Sequence, residues 1–312
     1  MRSLLPSVLP LAVLLIGCPG PEEVLPESTP TSEDRDFAIV VLPDIQFLTL
    51  ESPETLETMV DFILDDQRFR DIQFVVQQGD LTHNNTNAEW VNATTSLSRL
   101  HGVVPYSVCV GNHDMDDSDI ARDTTKFNAH FGPSGYADQA SFAGRKSDTN
   151  LDDHFHTFTV ADVDWLVLSL SWDPRPDALE WAEGVISDHP EHRIIALTHA
   201  HLAPDGTRTS IGQRIWEGAL AAHPNVTFVL NGHYTGGEAA RAVGEGDDGN
   251  AVQEIFSNYQ TRPSGGTGIL RVMTLNPDAQ TVGVETFSVV TNLVLDDDAN
   301  QFTLTEVDLH RP

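Results

Sequence analysis

The sequence predicts an α/β layered domain whose polar site lies at the carboxyl ends of its strands. Three observations predict it. Short apolar runs alternate with segments of helical period, the signature of a parallel sheet with right-handed crossovers. Five of those runs end in a polar cluster, where ligands of such sheets gather. Beyond residue 253 the period drops to two between Gly, Pro and Asn turns, as in antiparallel strands. A chain of 312 residues can bury a full core, and one large domain is the expectation.

The N-terminus reads as an address label. Met1-Arg2 brings one positive charge, and residues 4–16 are apolar but too short to span a bilayer as a mature helix. The run closes in Leu15-Ile16-Gly17-Cys18, which resembles the lipobox of bacterial lipoproteins, cut before a lipidated cysteine. The alternative is an ordinary secretory signal with a chance cysteine. The resemblance implies a signal peptide over residues 1–17, a lipid anchor at Cys18 and an extracytoplasmic place in a bacterial cell envelope. Pro19 after the cysteine leans toward the outer membrane. Residues 18–36 are rich in Pro, Glu, Ser and Thr, cannot form a core and read as a disordered tether. The folded domain is expected over residues 37–312.

Residues 37–43 form a continuous apolar run, as in a strand buried on both faces, and deliver Asp44 and Gln46. Residues 53–69 carry Leu56, Met59, Val60, Ile63 and Leu64 at helical spacing, with Pro53 suited to a first turn. A strand at 72–76 delivers Gln78-Gly79-Asp80, and residues 88–100 read as a second helix. The strand at 103–110 runs into Gly111-Asn112-His113-Asp114; glycine allows the sharp turn that projects the next side chains. Residues 119–131 look helical, and 132–153 read as a long surface loop able to cover a site. Paired strands follow at 155–160 and 165–171, then a helix at 177–187. A strand at 194–197 delivers His199 and His201, a helix covers 211–222, and a strand at 226–230 delivers Asn231-Gly232-His233. Antiparallel strands are expected near 253–258, 269–275, 281–290 and 301–307.

Acidic residues outnumber basic ones 47 to 17, giving a formal net charge of −30. Such a surface repels nucleic acid phosphates and attracts divalent cations. The only cysteines are Cys18 and Cys109, so a lipidated Cys18 leaves no disulfide partner, and Cys109 reads as a small buried hydrophobe.

Carboxylate, imidazole and amide oxygen together suit Mn²⁺, Fe or Zn²⁺, and the missing thiolate argues against a structural zinc site. The order Asp-x-Gln, Gly-Asp, Gly-Asn-His-Asp, His and Gly-His resembles the calcineurin-like metallophosphoesterases over residues 37–238. Asp-x-Gln with Tyr259-Gln260, Arg262 and Gly265-Gly266 is further similar to a bacterial extracytoplasmic branch. The resemblance implies a β-sandwich of two mixed sheets flanked by helices and a two-metal phosphoesterase acting on a monoester or diester through a metal-bound hydroxide. It implies that Asp80 bridges the metals, that Asn112, His199 and His233 complete the second site, and that Asp44 binds the first. His113 would touch no metal and would donate to the phosphoryl or leaving oxygen, with Asp114 orienting its ring.

Two positions depart from that family's pattern. Gln46 stands where a histidine is usual, and Gly232-His233-Tyr234-Thr235 stands for Gly-His-x-His. Both lost imidazoles belong to the first site, so one tight and one weaker metal are expected, with Mg²⁺ admissible at the weaker one. His201, Arg262 and Thr235 are secondary candidates for contact with substrate or with the metal ligands. A non-catalytic metal- or phosphate-binding envelope lipoprotein is the alternative function, and a structural lipoprotein with a purely stabilising metal is a third.

Overall fold

The computed structural model describes residues 35–118, 120–132 and 135–312; the expected signal peptide, Cys18 and nearly all of the tether lie outside them. The strands in chain order are β1 (Phe37–Leu42), β2 (Ile72–Gln77), β3 (Tyr106–Val108), β4 (Phe142–Arg145), β5 (His154–Val160), β6 (Val163–Leu170), β7 (His192–Thr198), β8 (Val226–Asn231), β9 (Ala239–Glu245), β10 (Ala251–Ser257), β11 (Ile269–Asn276), β12 (Thr281–Ser288) and β13 (Phe302–Leu304). The helices are α1 (Gln46–Glu51), α2 (Pro53–Asp66), α3 (Asn87–Leu97), α4 (Thr125–His130), α5 (Pro176–Asp188) and α6 (Ser210–Ile215), the last continued by a π-turn at Trp216–Leu220.

Two mixed sheets face each other. One has the order β13-β12-β11-β1-β2-β3 and the other β4-β5-β6-β7-β8-β10-β9. The period of two along β1 divides its side chains between two cores. Ala38, Val40 and Leu42 pack with Leu56, Met59, Val60 and Ile63 of α2 and with Trp90 and Leu97 of α3. Phe37, Ile39 and Val41 turn the other way, onto Trp165, Ile195, Leu197 and Phe228 of the opposite sheet. A third core lies between that sheet and α5 with the α6 segment, where Leu168, Ile194 and Val229 meet Leu179, Ile186 and Ile215. Burying each such side chain contributes about 1.5–3 kcal/mol. The result is helix, sheet, sheet, helix, with β1, β2 and β3 parallel in one sheet and β6, β7, β8 and β10 parallel in the other.

Four expectations need correction. The strand expected over 103–110 shrinks to β3, because Gly102 and Val103 turn out of α3 and leave Val103 55% exposed. Helix over 119–131 exists only as α4: Asp116 bridges back to Asp123, and left-handed backbone at Asp117 and Arg122 makes a turn. The segment near 253–258 is not simply antiparallel, since β10 runs parallel to β8 and antiparallel to β9, an edge strand the alternation does not announce. The loop 132–153 contains β4 and a 3₁₀ turn at Tyr136–Asp138. Instead of covering the site it closes the free edge of β3: Tyr106 N–H donates to Gln139 Oε1 (2.9 Å) and Val108 N–H to Tyr136 Oη (3.1 Å). Cys109 is buried as expected, and burial pushes its thiol pKa up.

Candidate metal centre

The carboxyl ends of β1, β2, β3, β7 and β8 meet at one rim of the sandwich and deliver Asp44, Asp80, Asn112-His113, His199 and His233 respectively. His199 donates Nδ1–H to the carbonyl of Gln78 (2.8 Å), which turns Nε2 inward. Around that nitrogen lie Asp80 Oδ1, Asn112 Oδ1 and His233 Nδ1, each at 3.2 Å. One N–H can serve only one of three acceptors, whereas a divalent cation can bind all four atoms together. Among the described residues, Asp80, His199 and His233 are the group of carboxylate and imidazole side chains close enough to share an ion. The donor set fits. A ligand histidine that gives its second nitrogen to a backbone carbonyl is fixed in tautomer and aim.

The electrostatics agree. Burial opposes a charge on His199, but the Asp80 and Asp44 carboxylates outweigh it and push its pKa up to about 9. Burial would raise Asp80, yet the charge and hydrogen bond of His199 hold it below the ordinary carboxylate value. Burial and the neighbouring His199 push His233 down to about 3. The point between these groups thus favours positive charge. Asp80 and His233 also hold left-handed backbone, at φ 48° and 75°. Such conformations cost on the order of 1–3 kcal/mol and cluster where function demands them. Backbone must come close here: at Gly79, whose φ is +96°, a Cβ would lie 2.5 Å from His199 Nδ1, and at Gly232 a Cβ would lie 2.0 Å from Asp44 Oδ1.

The first position is built differently. Asp44 is buried and accepts from His233 N–H (3.0 Å to Oδ2) and from Asn258 Nδ2 (2.9 Å). Burial, with Asp80 adding to it, raises its pKa well above the ordinary value. Gln46 does not reach Asp44 by hydrogen bond. Its Nε2 donates to Gln260 Oε1, and its Oε1 lies 3.3 Å from His83 Nδ1. Thr235 is exposed in the wall of the cleft.

His113 N–H donates to Asp80 Oδ1 (3.0 Å), and its ring Nδ1 donates to the carbonyl of His83 (2.7 Å). This corrects the role expected for Asp114. The Asp114 carboxylate accepts from the backbone N–H groups of Leu81 (3.1 Å), Thr82 (2.9 Å) and Gly111 (2.9 Å), tying the loops after β2 and β3 together. Burial and the charge of Asp80 push its pKa up to about 7. The His113 ring faces an open cleft of about 420 Å³, shared with Gln46, Phe47, His83, His233 and Gln260.

The calcineurin-like phosphoesterase family model matches residues 37–234. The chain belongs to the calcineurin-like phosphoesterase family. An uncharacterized protein from Bacillus subtilis (strain 168), YvnB, is 28% identical over 273 residues, which is 85% of this chain and 21% of that protein. The chain therefore spans about a fifth of that relative's length. Among solved structures, a dimetal phosphatase from Danio rerio superposes with a TM-score of 0.56 at 15% identity, over 86% of this chain and 98% of that one. The purple acid phosphatase PPD1 from yellow lupin (Lupinus luteus) seeds gives 0.55 at 15% identity, over 86% and 54%. Both share the fold of two mixed sheets flanked by helices.

Calcineurin-like phosphoesterases depend on a pair of metals, and this member brings its carboxylate, amide and imidazole candidates to one rim. Two secondary candidates point elsewhere. His201 lies beyond the end of β7, where strand alternation no longer applies, and its Nε2 pairs with Glu254 Oε2 (2.6 Å), which Arg208 also grips (2.7 and 2.6 Å). Arg262 is locked to Glu238 through two bonds of 2.7 Å. Sequence reasoning missed Asn258, His83 and Trp172. Asn258 follows β10 and would have been flagged with the other strand ends had that strand been read as parallel. Trp172 lies against the His233 ring, with centroids 4.4 Å apart, and follows β6 in the same way.

Proposed function

We propose that this chain is a metal-dependent phosphoesterase that hydrolyses a phosphomonoester or phosphodiester outside the cytoplasm, tethered to a bacterial membrane through Cys18. The observation that carries the catalytic reading is the convergence of Asp80, Asn112, His199 and His233 on one point beside His113. The His113 ring takes no part in that cluster and lines the open cleft beside it. Bound divalent cations would acidify water and neutralise charge on the phosphoryl group. Asp80, Asn112, His199 and His233 would hold the tighter position, and Asp80 would also serve the weaker one. Asp44, Asp80 and, if it leaves Gln260 and His83, the amide of Gln46 would hold a weaker, oxygen-rich one suited to Mn²⁺ or Mg²⁺. With Nδ1 committed to the His83 carbonyl, His113 keeps Nε2 for the phosphoryl or leaving-group oxygen.

The engagement of Gln46 with Gln260 and His83 favours a second reading, a metal- or phosphate-binding module without turnover. A screen of chromogenic monoesters and diesters separates them, using metal-stripped protein resupplied with Mn²⁺, Fe²⁺, Zn²⁺ or Mg²⁺. Metal-dependent release of the chromophore supports the enzyme. Metal uptake with no turnover of any ester supports the binding module.

A further inference from the structure

Besides His113 and the metal-ligand candidate His233, the cleft is lined by a third imidazole, His83, and none of its described lining residues is Lys or Arg. Phosphate sites are ordinarily built on those cations. The nearest guanidinium in sequence, Arg262, is spent on Glu238. Beyond the metal-ligand candidates Asp80 and His233, the cleft presents no fixed cation: its lining includes the amides of Gln46 and Gln260, the Thr261 hydroxyl, and the rings of Phe47, His83 and His113.

Those three rings form a stack. Phe47 lies 4.5 Å from His83, and His83 lies 5.1 Å from His113 at an interplanar angle of 16°. The His83 backbone is fixed on both sides. Its N–H donates to Glu89 Oε1 (3.2 Å), its carbonyl accepts from His113 Nδ1, and Thr82 beside it is tied to Asp114. Glu89 is itself held by the capping box of α3, accepting from Thr86 N–H (2.9 Å). The backbone is therefore fixed, yet beyond the stack with Phe47 and His113 the polar contact of the side chain is a 3.3 Å approach of Nδ1 to Gln46 Oε1. Among the described residues, Nε2 meets no hydrogen-bond partner.

On the reading of the site as a phosphoesterase, we infer that His83 is a substrate-contacting residue and that the cleft selects singly charged phosphodiesters over dianionic monoesters. With its proton on Nε2, the tautomer that gives up the 3.3 Å contact of Nδ1 with Gln46 Oε1, the His83 ring donates to a non-bridging phosphoryl oxygen, the task an arginine performs in more basic sites. A monoester at neutral pH carries about −1.5 to −2 charges. Bound metals would already be offset by the Asp44 and Asp80 carboxylates, and beyond them the second charge of a monoester meets amides and aromatic edges, within a chain of net charge −30. A diester carries one negative charge, and its second substituent is uncharged matter that the Phe47–His83 face can cover. Specificity arises as much from what is left unpaired for the wrong ligand as from what is paired for the right one.

The test compares bis(4-nitrophenyl) phosphate with 4-nitrophenyl phosphate, which share a leaving group and differ in charge, on the metal-loaded full chain. The diester is expected to have the higher kcat/KM by about tenfold or more, equivalent to one charge contact worth about 1.4 kcal/mol. His83→Phe keeps the ring stack and removes the donor. It is expected to raise KM for the diester about tenfold with bound metal unchanged by elemental analysis, and His83→Gln, which restores a donor, is expected to recover most of that loss. Wild-type kinetics in His83→Phe would overturn the contact, because a ring that only packs is replaced by phenylalanine without loss. Preference for the monoester would overturn the selectivity while leaving the phosphoesterase reading intact. Turnover of neither ester by metal-loaded protein would overturn both.

Discussion

His113 carries the most specific chemistry in the chain, and its surroundings say what to expect from its loss. Its ring stands outside the group of Asp80, Asn112, His199 and His233, and its Nδ1 is bound to a backbone carbonyl. His113→Asn is therefore expected to leave bound metal unchanged and to lower kcat by about 10²–10⁴-fold, with a smaller loss for esters of acidic leaving groups. Elemental analysis beside steady-state kinetics checks it, and loss of metal would move His113 into the ligand set. At this scale the sequence was most informative about residues at strand ends. Asp80, His199 and His233 do meet, and each was legible because an apolar strand delivers it. The role of Asp114 was not legible, since which backbone N–H groups a buried carboxylate collects depends on how the loops after β2 and β3 fold together. His83 carried no signal either; its value comes from the stack against His113.

The elements that position the site were read more securely than those at its margins. The β1–α2–β2–α3–β3 unit follows from periodicity, because burial on two faces leaves little choice of residue. β4, β9 and the shortening of β3 were not readable, since edge strands are half-exposed and carry mixed composition. The margin at β3 is held by a buried polar group that also makes a prediction. His154 of β5 donates Nδ1–H to the Leu151 carbonyl (2.8 Å), leaving Nε2 beside Tyr136 Oη (3.0 Å) and Ser107 Oγ (3.2 Å), the latter on β3. Burial pushes its pKa from the ordinary 6.5 down to about 4. The unfolded chain thus binds this proton first as pH falls. Stability from the neutral ring is complete above pH 6.5 and is lost on descending toward pH 4, by on the order of 3 kcal/mol. Urea midpoints at pH 7 and pH 5 measure the effect, which His154→Gln is expected to flatten over this window.

Across the described residues, two facing sheets bring two sets of parallel strand ends to a common rim, and the pairing of sheets is what assembles the centre. That pairing was implied by family resemblance; periodicity alone gives a sheet and its helices, not which two sheets stack. The anchor belongs to this scale too. If lipidation at Cys18 fixes the location, Cys18→Ser is expected to move the protein from the membrane fraction to the soluble one. An unacylated wild type, with the variant still in membranes, would contradict the anchor. The proposed inequality of the two metal positions is the most direct point to test, because it rests on the same geometry that supports hydrolysis. The proposed tighter position would draw on Asp80, Asn112, His199 and His233, whereas the weaker one would have Asp44, Asp80 and an amide already engaged by Gln260 and His83. The deciding measurement is metal content after exhaustive dialysis, paired with phosphoester hydrolysis as Mn²⁺ is added back. The expected result is between one and two retained equivalents, with activity that rises with added Mn²⁺ and loss of both in His199→Ala. Two tightly held equivalents with no response to added metal, or hydrolysis that survives His199→Ala unchanged, would contradict it.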